Sequence, residues 1–426
     1  MKLLFITSYF FPEQAASSYI GDSLREELCT QGIEIVLYAP MPSRGVSPEV
    51  KKEYRKKKEE HFYNNRMTVH RFSLLSEGSN SILRMLRYCI YCIKQFNRAV
   101  FANDARLCDV LFVTSTPPIQ GAMAAMVRSL RGLPIVYNLQ DIFPDSLVGT
   151  GLTHKGSLIW KIGRKIEDYT YRHADKIIVI SRDFKRNIMA KGVPEDKIEV
   201  IYNWVDENVV VDVPRTGNKL FDKYNFDHTK FYVTYCGNIG MTQNMDMLLD
   251  VAKELENEAQ DVHFVLVGEG AYREQVVKKI AGREGDDGAV RGTTIPNVTL
   301  LPFQPYEDIS HVFSLGDVSL VVSKPGVGEN SVPSKTWSIM SASRPVLANF
   351  DENELKEIIC DHHCGIFTKA GDKEAFKNAI LILRNNPDLC REYGANGHKF
   401  VIDNLTKEKG TQKYVDVIRK VASMKK

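Results

Sequence analysis

The chain has 426 residues, and its 43% hydrophobic and 10% aromatic content belongs to a globular protein too long for one ordinary core; it argues for two or three domains and against disorder. A formal net charge of +3 excludes a nucleic-acid binder by composition, and no stretch approaches the roughly 18 uncharged apolar residues of a membrane-spanning helix. Eight scattered cysteines, several inside apolar runs, read as reduced thiols and not as a disulfide framework. The opening run MKLLFITSYFFPEQ has one Lys and no small-residue cleavage site, so it reads as a first strand and not as a signal peptide.

From there the apolar pattern predicts strand at 2–8, helix at 17–31, and strands at 34–38 and 67–72. A helix at 81–101, strand at 110–114, helix at 119–131, strand at 135–138 and helix at 157–172 follow, then strand 176–180, helix 183–191 and strand 199–201. Residues 203–230 lose the rhythm and read as a linker. The alternation restarts with strand 231–236, helix 244–257, strand 263–267 and helix 272–281, a Gly-rich exposed insertion at 282–294, strand 298–301, helix 306–313 and strand 318–322. Helix 335–342, strand 345–348 and helices at 352–359, 372–385, 387–403 and 410–424 complete the chain. This is an α/β pattern of two doubly wound, Rossmann-like domains, 1–205 and 230–405, with a terminal helix in 406–426 packing back towards the first; a ligand is expected in the cleft between their strand ends.

Three loops carry chemistry. Residues 323–350, SKPGVGENSVPSKTWSIMSASRPVLANF, leave one buried strand and pass through a helix into another, the position where open α/β sheets bind ligands. Unpaired N–H groups at a helix start favour an anion. Lys324 and Lys335 add positive charge, while Glu329, Asn330, Ser331 and Ser334 are placed to orient sugar or ribose hydroxyls. The second loop, Tyr235 to Gly240, is a glycine turn between strand and helix, but GNIG lacks the third glycine of a dinucleotide fingerprint. In the first half, Gln140-Asp141 ends a strand; Asp141 is positioned to take a proton from an acceptor hydroxyl, its alternative being a turn residue before Phe143-Pro144. Glu13, in the loop after the first strand, is a candidate acceptor contact or a loop cap. Cys360-Asp-His-His-Cys364 lacks the second ligand pair of a zinc site, and Cys89 and Cys92 read as helix packing.

FFPE at 10–13, QDIFPDS at 140–146, YCGNIGMTQ at 235–243, FVLVGEG at 264–270, and SVPSK with SRPVLA within 331–348 together resemble family 4 of the glycosyltransferases, proteins of two Rossmann-like domains (the GT-B fold). The nearest look-alikes are bacterial enzymes of O-antigen and capsule assembly, including N-acetyl-L-fucosamine transferases. The resemblance implies transfer of a sugar from a UDP-sugar, a substrate and not a cofactor, without metal. It places the donor on the C-terminal domain at Gly237, Asn238, Gln243, Lys324, Asn330, Ser331, Ser334 and Lys335, and the acceptor on the N-terminal domain. Asp141 and Glu329 are the candidate catalytic carboxylates. The family often has Arg and Lys where this chain has Asn238 and Gln243, and a Glu pair where it has Asn330 and Ser338; Glu329 misses the first Glu by one position. Lys324 and Lys335 are the cations available to a leaving diphosphate.

Residues 49–106 hold 13 Lys or Arg against six Asp or Glu, although the whole chain is only +3. There Arg84, Arg87, Lys94 and Arg98 recur at helical spacing, flanked by Leu83, Leu86, Ile90, Ile93 and Phe96. A basic amphipathic helix is expected to meet an anionic membrane surface. The expectation is a peripheral enzyme at the inner face of the plasma membrane, acting on a polyprenyl-diphosphate-linked saccharide, with no nucleic-acid partner. A nucleotide-sugar epimerase of the same fold, or a non-catalytic sugar-nucleotide binder, are the alternatives.

Overall fold

The computed structural model describes residues 1–13, 18–43, 45–75, 81–149, 153–329 and 332–425. The chain forms two compact units, Met1–Tyr202 with Glu408–Lys426, and Asn203–Lys407.

The first unit runs β1 (Lys2–Ile6), α1 (Ser18–Thr30), β2 (Glu34–Pro40), α2 (Pro48–Tyr54), β3 (Glu59–Phe62), β4 (Met67–Phe72), α3 (Ser81–Phe101), α4 (Asn103–Arg106) and β5 (Val110–Thr114). It continues with α5 (Gln120–Arg131), β6 (Ile135–Leu139), α6 (Asp145–Gly149), α7 (Leu158–His173), β7 (Lys176–Val179), α8 (Arg182–Ala190) and β8 (Ile198–Val200). The strands form one sheet in the order β3-β4-β2-β1-β5-β6-β7-β8, parallel except for the edge strand β3. Its central strands are apolar without alternation because helices cover both faces. Leu4, Val36, Leu111 and Val113 meet Tyr91 of α3, Met123 of α5 and Tyr171 of α7 in one core. Phe112, pointing to the opposite face by the strand's period of two, packs on Tyr414 of the final helix.

The second unit runs α9 (Lys219–Tyr224), β9 (Phe231–Cys236), α10 (Met245–Glu258), β10 (Val262–Val267), α11 (Arg273–Lys279), β11 (Arg283–Glu284), β12 (Val290–Arg291), β13 (Val298–Leu301), α12 (Ile309–Phe313) and β14 (Val318–Val322). Then come α13 (Lys335–Ser341), β15 (Val346–Phe350), α14 (Glu354–Asp361), β16 (Gly365–Lys369), α15 (Lys373–Asn385) and α16 (Pro387–Asn404). The sheet order is β11-β12-β13-β10-β9-β14-β15-β16. The last helix, α17 (Lys407–Ala422), belongs to the first unit, where the Tyr414 hydroxyl donates to Asn138 Oδ1 at 3.0 Å.

Several stretches differ from the sequence expectation. Residues 203–230 are not a linker: α9 buries Leu220, Phe221 and Tyr224 against Phe226 and Tyr232. A six-residue helix is too short to display its period. The insertion at 282–294 is a small antiparallel hairpin whose Val290 pairs with Leu300, extending the sheet. The helix α2 and the edge strands β3 and β16 also went unread; the two strands are short and half-exposed and lack an apolar run.

Candidate functional site

In the second unit the carboxyl ends of β9, β10 and β14 bring three loops together. The turn after β9 locks onto the turn after β10: Gly237 N–H donates to Val267 O at 2.9 Å, and Ile239 N–H to Glu269 O at 2.8 Å. Tyr272 N–H returns a bond to Ile239 O at 2.9 Å. The approach is so close that a Cβ on Gly268, at φ +149°, would stand 1.9 Å from Gly237 O. Two backbones in contact leave no room for a side chain, which is why the short motif VGEG carries its glycines. Gln243 does not reach outward with its oxygen; Oε1 accepts from Gly240 N–H at 3.1 Å and closes the turn before α10. Asn238 is exposed at the tip of that turn.

Lys335, the first residue of α13, bends into this turn. Its ammonium lies 3.8 Å from the centre of the Tyr235 ring and within 2.8 Å of where a Gly237 Cβ would be. The Tyr235 hydroxyl is spent on Asn238 O at 2.6 Å, so only the ring face meets the cation. No carboxylate pairs with Lys335 among the described residues. The lysine is half-exposed along its length, but desolvation of the ammonium lowers its pKa to about 8, with Cys236 opposing weakly. Burial pushes the Cys236 thiol up to about 11, so it stays neutral beside the lysine. A desolvated cation over a glycine turn, with no protein anion, is arranged to receive an anion from outside the chain.

The third loop is tied to the first through Lys324 N–H, which donates to Thr242 O at 2.8 Å. The Lys324 ammonium lies 5.7 Å from the centre of the Tyr272 ring, on the side of the turn where Tyr272 also bonds Asp246. Asp351, which the sequence reading missed, shapes the loop: its two carboxylate oxygens accept from Gly326 N–H at 2.9 Å and Gly328 N–H at 2.7 Å. Its signal was an acid just past a strand end, which alone is too common to select. Ser334 is exposed immediately before α13, with no side-chain cap bond. Glu329 is exposed in the same loop; Asn330 and Ser331 lie outside the described residues. The structure therefore draws together Gly237, Asn238, Gln243, Lys324 and Lys335.

The first unit treats its candidates differently. Asp141 follows β6 at the sheet's carboxyl end and is exposed; desolvation by surrounding protein raises its pKa, against the Ser146 hydroxyl and the Ile142 N–H. Exposure keeps that shift modest, and the upward direction suits a proton acceptor. Glu13 is buried and accepts from Ser43 N–H at 2.7 Å, so it braces the loop after β1 and is not open to an acceptor.

The basic face expected on α3 is corrected most. Arg87 is buried, donating to Leu75 O and, at 2.9 Å, to Ser43 Oγ. Lys94 donates to Ser73 O at 2.8 Å, and Arg98 lies 4.9 Å from the centre of the Tyr38 ring. Only Arg84 of the four stands in solvent without a protein partner among the described residues. The spacing placed them on one side of the helix correctly, but that side is turned to the loop after β4 and to β2. Periodicity fixes which residues share a face and says nothing of what the face meets.

Two family descriptions match the chain: Glycosyltransferase Family 4 over residues 22–209, and Glycosyl transferases group 1 over residues 217–400. WcaI of Escherichia coli (strain K12), a glycosyl transferase whose name assigns it to colanic acid biosynthesis, is 23% identical over 98% of this chain and 100% of its own. WbjE of Pseudomonas aeruginosa, named a probable glycosyltransferase, is 25% identical over 72% of each chain. The fold of HepE from Anabaena, solved with UDP, superposes with a TM-score of 0.71 at 14% identity, covering 99% of this chain and 100% of that one.

Proposed function

We propose that the chain is a group 1, family 4 glycosyltransferase of the GT-B fold that moves a sugar from a UDP-sugar on the second unit to a saccharide carried on a polyprenyl diphosphate. The observation that carries the donor half is the unpartnered Lys335 ammonium against the Gly237 turn. In the transfer, the bond between the sugar's anomeric carbon and the diphosphate oxygen breaks. A bond to the acceptor oxygen forms, the acceptor's proton goes to a base, and UDP leaves with the bonding pair. The charge that builds on the diphosphate meets Lys335, with Lys324 on the neighbouring loop, and no metal is required for that role. Lys335 also supplies what Asn238 and Gln243 do not. Asp141 is the proton acceptor in this reading, and Glu329 with Ser334 meets the sugar hydroxyls.

The acceptor half rests on resemblance and on the relatives. Assembly of an exopolysaccharide, capsule or O-antigen fits the name of WcaI. N-acetyl-L-fucosamine is the donor sugar that the sequence resemblance favours. Such an enzyme works where nucleotide sugars and membrane-held lipid diphosphates meet, at the inner face of the plasma membrane as a peripheral protein. Among the described residues no helix is long and apolar enough to cross a membrane.

The test is a panel of nucleotide sugars offered with a lipid-diphosphate saccharide, read by release of the nucleoside diphosphate. One UDP-amino sugar should turn over only when the lipid acceptor is present. Interconversion of the nucleotide sugar without acceptor would assign an epimerase instead.

A further inference from the structure

The outer surface of one helical layer in the first unit is apolar where solvent would favour polar residues. Helices α3, α5 and α7 lie side by side over one face of the sheet, with α5 in contact with both neighbours. Leu86 and Ile93 stand outward on α3, with Leu83 and Met85 in its first turns. Met126 and Leu130 do so on α5, and Leu158, Ile159 and Ile162 on α7. Each of these side chains is between 48% and 75% exposed. A lone exposed leucine is ordinary, but so many within one layer form a patch of the kind that marks an interaction surface.

The charges of the layer point to the partner. Helices α3 and α5 contain no Asp or Glu. The two acids of α7, Glu167 and Asp168, are both paired with Arg164 of the same helix. Arg84, Lys161, Lys165 and Arg172 are exposed around the apolar residues and have no carboxylate partner among the described residues. On α7, Leu158, Ile162 and Lys165 follow one another at helical spacing, so an aliphatic stem and its ammonium stand beside the apolar side chains.

We propose that this three-helix surface is where the protein lies on a bilayer with anionic headgroups, its Leu and Ile side chains entering the interfacial zone and its exposed cations meeting the headgroup phosphates. The inference rests on the reading of a lipid-linked acceptor and names the surface that would bring the enzyme to it. A second copy of the chain is a poorer occupant. A two-fold pairing would set the unpaired cations of one rim against the same cations of the other, with no free acid among the described residues of the three helices to answer them. A neutral apolar partner would leave the cations unused. Helices lying flat with an apolar face and a basic rim are the form that interfacial binding takes. Binding of this kind has two components, and salt screens only the electrostatic one.

The experiment is sedimentation of the whole protein with vesicles of phosphatidylglycerol and phosphatidylcholine, at low and high salt. Wild type is compared with L86Q/I93Q on α3, with L158Q/I162Q on α7, and with the four changes combined. All four side chains already face solvent, so the fold should survive, and UDP affinity by calorimetry serves as the check on folding and on the donor site. Each pair should lower partitioning at least tenfold at either salt concentration, with UDP affinity unchanged. The proposal is overturned if wild type ignores the vesicles, or if the combined variant binds them as wild type does. It is equally overturned if wild type is a dimer in analytical ultracentrifugation that the combined variant converts to monomer. Absence of UDP binding in wild type would refute the donor assignment instead and leave the vesicle result standing.

Discussion

Residues 323–350 of the second unit and helix α3 of the first both carry basic residues singled out in the sequence, and the fold uses them in opposite ways. Arg87 is buried and meets a backbone carbonyl and a hydroxyl of its own unit. Lys335 is drawn into a desolvated spot and, among the described residues, meets the face of Tyr235 and a glycine turn with no carboxylate partner. A cation whose donors are all answered by the protein is structural. One held out of water with its donors unanswered is held for a ligand, because leaving it so costs stability that a ligand's charge can return. The difference lies in the inventory of partners, not in the number of charges.

The contrast can be broken at several points. The largest effect is expected from Gly268→Ala, whose new methyl would collide with Gly237 O and sit at a φ that L residues avoid. Strain and the forced parting of the two turns should cost at least about 3 kcal/mol of stability, read by thermal denaturation, and abolish UDP binding. Lys335→Ala comes next. Losing a charge-assisted contact should weaken UDP binding by roughly 1.5–3 kcal/mol, at least tenfold, and reduce turnover in step. Because burial disfavours the charged lysine, stability at neutral pH should not fall, and a lower melting temperature would argue that Lys335 is structural. Arg87→Gln should do the reverse, costing about 1–2 kcal/mol of stability through the unanswered Leu75 carbonyl while leaving UDP affinity unchanged. The smallest effect should come from excess chelator. Turnover is expected to persist in EDTA, and its loss with recovery on added magnesium or manganese would hand the diphosphate to a metal.

Much of this was legible in the sequence, for identifiable reasons. The central strands are continuous apolar runs, so their positions along the chain and the two α/β units followed from pattern alone. Glycine turns after β9 and β10 were visible as motifs, but their interlocking depends on strands that are neighbours only in the folded sheet. Lys335 was legible as a cation in a ligand loop; its bend onto Tyr235 was not, because those residues are a hundred positions apart. Arg87 was misjudged, and for Glu13 the fold takes the loop-cap alternative over the acceptor contact. Both meet Ser43, a contact between distant segments that no local spacing encodes. Of the apolar flank of α3 noted beside its basic residues, Leu83, Leu86 and Ile93 face outward, while Phe96 packs on the core.

The central claim is that Lys335 is the cation for the donor's diphosphate, and titration calorimetry of UDP between about pH 7 and pH 8.5, below the ionisation of the uracil ring, tests it most directly. In that window UDP's terminal phosphate, with a pKa of about 6, no longer changes charge. Cys236, raised to about 11, and Tyr235, also raised by burial, stay neutral. Lys335, lowered to about 8 by desolvation, titrates there in the free protein. A bound diphosphate favours the ammonium, so affinity should be highest below that pH and fall as the pH rises through it, by up to about tenfold per unit, with proton uptake on binding. Lys335→Met should bind weakly with no such slope. Equal affinity in the variant, or an unchanged pH dependence, would contradict the account.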